Sequence, residues 1–166
     1  MKTPLCEACL ATNSFCASCQ RKLDAGEVSH TELEIARALL SENLPAQAGF
    51  ERALELKDAV LIFTLSPAAV IGRSGKTVKA LAKALGKKIK VIDEAAAPQA
   101  KINETLLPAR VLGVNTVFKA GGGSAGGKEF HVRVARGDAR LLPDAPQALN
   151  SLLSNFLGAP AQIVLE

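Results

Sequence analysis

Near the middle of the chain two runs with helical spacing meet at Gly72-Arg73-Ser74-Gly75, and no other feature restricts the local fold as tightly. Two glycines around one basic and one small residue let a backbone come very close to another backbone. Both ends of this loop are helix termini. The helix that follows presents free N–H groups and the positive end of its dipole, which together favour an anion. Arg73 and Lys76 add charge to whatever docks there.

The surroundings of the loop predict a compact unit. Ser29-His30-Thr31-Glu32 is a capping-box pattern, followed by Leu33, Ile35, Ala36, Leu39 and Leu40 at helical spacing. That helix should stop near Asn43 or Leu44, before Pro45. Two strands are expected over 50–56 and 59–65, joined by the turn Lys57-Asp58. Ser66-Pro67 starts a short helix that breaks at the glycine loop. A second helix runs from Lys76 to Leu85, Gly86 ends it, and Ile89–Ile92 returns as a strand. Lys76, Lys79, Lys83 and Lys87 fall on one helical face, with Val78, Leu81, Ala82 and Leu85 opposite. Between Gly72 and Val91 there are seven basic residues and no acidic one; such a stripe is usually a solvated face, but beside the glycine loop it becomes an electrostatic path for phosphates. Gly75-Lys76-Thr77 superficially suggests a nucleotide-binding P-loop, but that pattern needs glycine where the chain has Val70.

All four cysteines lie at the start of the chain, as Cys6-x2-Cys9 and Cys16-x2-Cys19. Each pair can offer two sulfurs to one ion from a tight turn, and two such knuckles make the four-thiolate cage that structural zinc prefers. The six residues between the pairs are enough to let them face each other. A short helix is expected after Cys16, ending near Gly26, with its dipole favouring the thiolates. Iron, disulfides and redox pairs are the rival readings; reducing compartments disfavour disulfides, and neither pair sits beside the strand–helix unit that a redox motif requires. The expectation is one structural zinc ion held by Cys6, Cys9, Cys16 and Cys19.

From Asp93 onward the pattern recurs. A helical stretch over 95–107 precedes strands at 110–119 and 129–136, a helix at 146–157 ended by Gly158, and a final strand at 162–165. Leu85-Gly86 before the last strand of the first unit is echoed by Leu157-Gly158, which suggests an internal repeat. Where the second copy should carry two glycines it has Pro143-Asp144-Ala145-Pro146, which cannot cradle a phosphate in the same way. The glycine-rich run 121–127 matches no phosphate-binding pattern and reads as a surface loop. Arg133, Arg136 and Arg140 could extend a basic surface, and His30 and His131 have no catalytic or metal-binding pattern around them.

The element order and the stretch from Val70 through Leu81 resemble a type II KH domain, over about residues 30 to 93. Two such units in tandem resemble the compact NusA-like KH proteins of archaea, here with a zinc knuckle in front. The resemblance implies an α+β fold: a four-cysteine knuckle over 1–28, a KH domain with the glycine loop over 29–94, and a degenerate KH-like domain over 95–166. KH domains clamp single-stranded nucleotides by the backbone at such a loop. That implies RNA contacts from Val70, Ile71, Gly72, Arg73, Ser74, Gly75, Lys76, Lys79 and Lys83, with aliphatic residues lining a groove for the bases. The implied protein is a non-catalytic factor acting on single-stranded RNA in transcription or on the ribosome. The alternative is an adaptor that docks on RNA polymerase or a ribosome through the knuckle and second unit.

The remaining composition narrows the classes. Apolar residues form 48% of the chain and the net charge is +4, consistent with a folded protein and an anionic partner. With six phenylalanines and neither tyrosine nor tryptophan, a platform of stacked aromatics is not expected. The N-terminus shows no signal-peptide pattern, and the longest uncharged stretch falls short of the roughly 20 residues a membrane span needs. A cytoplasmic protein without a membrane partner is expected. No nucleophile–base pair or paired carboxylates emerge, so neither an enzyme nor a small-molecule substrate is expected.

Overall fold

The computed structural model describes residues 3–12, 14–42, 49–118 and 127–166. The chain divides into two compact units, Met1–Ala95 and Ala96–Glu166. Both are α+β, each built around a three-stranded sheet, and the described residues form seven α-helices in all.

Unit 1 opens with α1 (Glu7–Thr12) and α2 (Ala17–Asp24), then α3 (His30–Ser41). The capping box forms as expected: the Ser29 side chain accepts from the Glu32 amide, and the Glu32 carboxylate accepts from the Ser29 amide at 2.8 Å. Glu32 also reaches across the fold. Its Oε1 accepts the Ala53 N–H of the first strand at 2.8 Å, so one buried carboxylate fixes both the start of α3 and its seat on the sheet. The end expected for this helix, near Asn43 or Leu44, lies outside the described residues.

The sheet of unit 1 contains β1 (Arg52–Glu55), β2 (Ala59–Thr64) and β3 (Lys88–Asp93) in that order. β2 runs antiparallel to β1 and parallel to β3. Its sequence Ala-Val-Leu-Ile-Phe-Thr is buried at every position, as suits a central strand rich in β-branched residues. Between β2 and β3 come α4 (Pro67–Ile71), a 3-10 turn over Arg73–Gly75, and α5 (Lys76–Leu85). Gly86, at φ 66 and ψ 14, closes α5 in the left-handed conformation expected of a helix-ending glycine. One apolar cluster joins Ile35, Ala36 and Leu39 of α3, Val60 and Ile62 of β2, Val70 of α4, Leu81 of α5, and Leu5, Cys9, Leu10 and Cys19 from the N-terminal segment.

Unit 2 repeats the order with one change. It runs α6 (Pro98–Leu106), β4 (Val111–Phe118), β5 (Lys128–Val134), a 3-10 helix over Arg136–Leu141, α7 (Pro146–Leu157) and β6 (Ala161–Leu165). Again the middle strand β5 is antiparallel to the first and parallel to the last. Leu149, Leu153, Ile102, Leu106, Val132 and Val134 are fully buried. Helix α7 is tied to β6 by side chains: Asn150 Oδ1 accepts the Ile163 amide, and Ser154 Oγ accepts the Ala161 amide, both at 2.8 Å. The expected glycine-rich loop lies outside the described residues apart from Gly127.

Candidate functional site

Two features are candidates, a metal centre and an anion-binding loop, and both belong to unit 1. The four cysteine sulfurs lie within 4.8 Å of one another, and none is in a disulfide. Cys6 and Cys9 sulfurs are 3.0 Å apart, Cys19 and Cys6 3.6 Å. Around an ion with bonds of about 2.3 Å, a tetrahedron of sulfurs has edges of about 3.8 Å. The observed spacing needs only small shifts to match.

Local structure explains the gathering. Cys6 and Cys9 flank the first turn of α1, and Cys16 and Cys19 do the same for α2. The Cys16 amide donates to the Cys9 sulfur at 3.2 Å, bringing the two knuckles together. The Cys19 amide at the start of α2, followed by the Cys19 and Cys9 thiols, pulls the Cys16 thiol down to about 6. Cys6 is also lowered, first by the Cys9 thiol. At Cys9 the Cys16 amide pulls downward, but the Cys6 sulfur and burial outweigh it and push the thiol up to about 12. At Cys19 the Cys6 amide is outweighed in the same way by burial and by the Cys6 side chain. The exposed pair is thus shifted down and the buried pair up. Four sulfurs this close cannot all carry charge unless a cation joins them. A dication supplies that charge, and an all-thiolate donor set selects a soft or borderline metal. Cys6, Cys9, Cys16 and Cys19 can hold a metal ion.

The glycine loop has an unusual backbone. Gly72 sits at φ 73 and ψ 175, a region open essentially to glycine alone. Ser74 follows at φ 53 and ψ 26, and Gly75 at φ 72 and ψ 22, so two consecutive residues are left-handed. The Gly75 amide bonds the Gly72 carbonyl at 3.2 Å and closes the turn. A right-handed residue followed by a left-handed one is the backbone pattern of anion-binding turns, although here the Gly72 and Gly75 amides are already bonded to the Ala68 and Gly72 carbonyls. Gly72 is required for space as well. A methyl group there would collide with the Thr77 hydroxyl and lie 3.2 Å from the Thr77 Cβ and 3.3 Å from its amide nitrogen. Thr77 itself is 3% exposed.

The residues singled out in the sequence occupy different places. Gly72, Arg73, Ser74, Gly75 and Lys76 make the loop and the first turn of α5. Val70 is fully buried in the core, where it can shape the loop but not touch a ligand. Ile71 is 38% exposed beside the loop and Leu65 is 59% exposed nearby in sequence. Lys76, Lys79 and Lys83 lie exposed along α5. Lys76 stands 4.0 Å from Glu42, whereas Arg73, Lys79 and Lys83 have no carboxylate partner among the described residues. Lys87 leaves the stripe. The left-handed Gly86 turns the chain back, and Lys87 pairs with Glu55 at 2.7 Å and donates to the Leu56 carbonyl.

In unit 2 the segment aligned with the loop presents the opposite chemistry. Asp144 accepts the Ala145 amide at 2.6 Å, and Pro146 brings no N–H to the first turn of α7. Elsewhere in unit 2 Arg133 pairs with Glu166 at 2.7 Å and Arg110 with Asp138 at 3.0 Å. His131 meets Gln162 at 2.8 Å, and exposed His30 faces Glu34 at 3.5 Å. Among the described residues, no helix is long and apolar enough to cross a membrane.

No family model matches the chain, and no curated protein matches it. Among solved structures it is similar to the crystal structure of APE1850, at 18% identity over 70% of this chain and 86% of that one, with a TM-score of 0.45. A likeness at that level supports no statement about what this chain does. The site rests on its own geometry.

Proposed function

We propose that this chain is a non-catalytic single-stranded RNA-binding protein of the NusA-like tandem KH type, stabilised by one zinc ion on its four cysteines. The observation that carries the reading is the loop. Gly72, Ser74 and Gly75 give the loop its positive-φ backbone at the start of α5, and Arg73, Lys76, Lys79 and Lys83 continue outward from it along an exposed basic face. A nucleic-acid backbone offers phosphates in series to match that path. The order helix, strand, strand, helix, glycine loop, helix, strand around it supports a KH unit over 29–94. Ile71 and Leu65, half-exposed near the loop, are candidates for contact with bases. Unit 2 repeats the order with Asp144 and two prolines in place of the loop, so it contributes no second backbone clamp of this kind. Zinc is favoured over other ions by four thiolates in a closed cage. Action in transcription or on the ribosome follows from the resemblance to NusA-like proteins.

Fluorescence anisotropy of short single-stranded RNA tests the reading, with wild-type protein and an Arg73→Asp/Ser74→Asp variant compared across a salt series. Wild type should bind with a log–log salt slope of about −0.7 per phosphate neutralised, and the folded, metal-loaded variant should not bind. Equal binding by both, or none by either, would refute the clamp and favour a protein-docking adaptor.

A further inference from the structure

We infer that metal occupancy of the four-cysteine centre governs the rigidity of the Gly72–Gly75 loop, transmitted through helix α3. The inference rests on the metal reading of the cysteines, but it concerns how unit 1 is held together.

The N-terminal segment is not an appendage. Cys9 and Cys19 are each 4% exposed, and with Leu5 and Leu10 they belong to the same apolar cluster as Leu33, Ala36 and Leu39 of α3. That cluster continues to Val70, which precedes the loop, and to Leu81 of α5, which follows it. Helix α1 packs on α3, and α3 packs on α5. Arg37 of α3 lies over the Phe15 ring at 5.9 Å and ties the linker between the two knuckles to the same helix. Helix α3 therefore packs both on α1 of the cysteine segment and on α5, which follows the loop.

Neither α1, with six residues, nor α2, with eight, is long enough to persist alone in water. Two of the apolar groups through which they pack are the ligand thiols themselves. An ion on the four sulfurs fixes α1 and α2 as one body and presses Leu10 onto α3. Removal of the ion frees that body and loosens its packing on α3, which then supports α5 less firmly. The loop is sensitive to such a change because Thr77 of α5 packs directly on Gly72. Coupling of this kind is reciprocal, so a ligand that rigidifies the loop must also hold the metal more tightly.

Hydrogen exchange on the full chain tests the inference, comparing protein loaded with one zinc and protein stripped by a chelator. Unit 2 serves as the internal reference. Amides of α3 and α5 should exchange at least about tenfold faster after stripping, α6, α7 and the second sheet should be unchanged, and zinc should restore protection. Unchanged exchange in α3 and α5 would overturn the inference. So would equal acceleration in both units, which would mean general unfolding rather than a path through α3. Leu10→Ala keeps all four ligands and is the second test. Zinc-loaded Leu10→Ala should exchange faster in α5 than loaded wild type; exchange identical to wild type would refute the transmission through α3. For the reciprocal arm, oligouridine should slow zinc loss to the chelator in wild type but not in Arg73→Asp/Ser74→Asp. If oligouridine does not bind loaded wild type at all, the RNA reading falls, while the exchange comparison still decides the coupling.

Discussion

Replacing Gly72 by alanine should cost far more than replacing Gly75, although both glycines have positive φ. At Gly75, φ 72 and ψ 22 is the ordinary left-handed region, and an added methyl meets nothing within 4 Å. The expected loss there is the intrinsic penalty alone, about 1 kcal/mol. At Gly72 the backbone lies in a region nearly closed to other residues, which costs about 1–3 kcal/mol. The methyl would also collide with Thr77, whose amide nitrogen at 3.3 Å belongs to the first turn of α5 and cannot swing away. Overpacking of this kind adds about 1–3 kcal/mol. Gly72→Ala should therefore lose about 2–6 kcal/mol in urea denaturation of the metal-loaded protein. A double-mutant cycle checks the cause. Thr77→Ala removes the hydroxyl that collides, so Gly72→Ala in that background should recover about 1 kcal/mol. Equal costs at the two glycines, or no recovery with Thr77→Ala, would refute this account of the loop.

Other expectations follow from individual contacts. Glu32→Ala removes a capping box and the acceptor of the buried Ala53 amide, and should cost about 2–4 kcal/mol in the same denaturation assay. Cobalt titration should give one equivalent with the strong visible absorption of a tetrahedral four-thiolate site in wild type, and that spectrum should be lost in Cys16→Ser. Burial of its ammonium, with the Lys88 charge second, pulls Lys90 down from 10.5 to about 8. The unfolded chain then binds more protons than the folded one between those values. This group's contribution therefore makes stability rise as pH increases from about 8 toward 10.5. Lys90→Met should raise the Tm at pH 7 by up to a few degrees and flatten that rise, the half-exposed position limiting the gain.

Much of unit 1 was legible because local signals agreed with the fold. The lysine-and-apolar spacing places α5 over Lys76–Leu85, and in unit 2 Gly158 marks the end of α7 over Pro146–Leu157. Ser29 and Glu32 announced their capping box, and the cysteine spacing announced the cluster. What stayed hidden depends on contacts distant in sequence. Helix α1 is too short to show a period, and it persists by packing on α3. Lys87 matched the stripe in spacing, but Gly86 ends the helix one residue earlier and sends it to Glu55. Val70 is apolar like a groove residue, and only the packing reveals that it is core. The second acceptor role of Glu32, toward Ala53, joins residues 21 apart in sequence, which no local pattern encodes.

The most direct measurement is a titration of isotope-labelled, zinc-loaded protein with single-stranded oligouridine, followed by amide NMR. The account predicts that the largest shifts fall on Gly72 to Lys76, continue along α5 through Lys79 and Lys83, and vanish in Arg73→Asp/Ser74→Asp. Shifts that leave the loop untouched and gather instead on unit 2 or on the cysteine segment would contradict it.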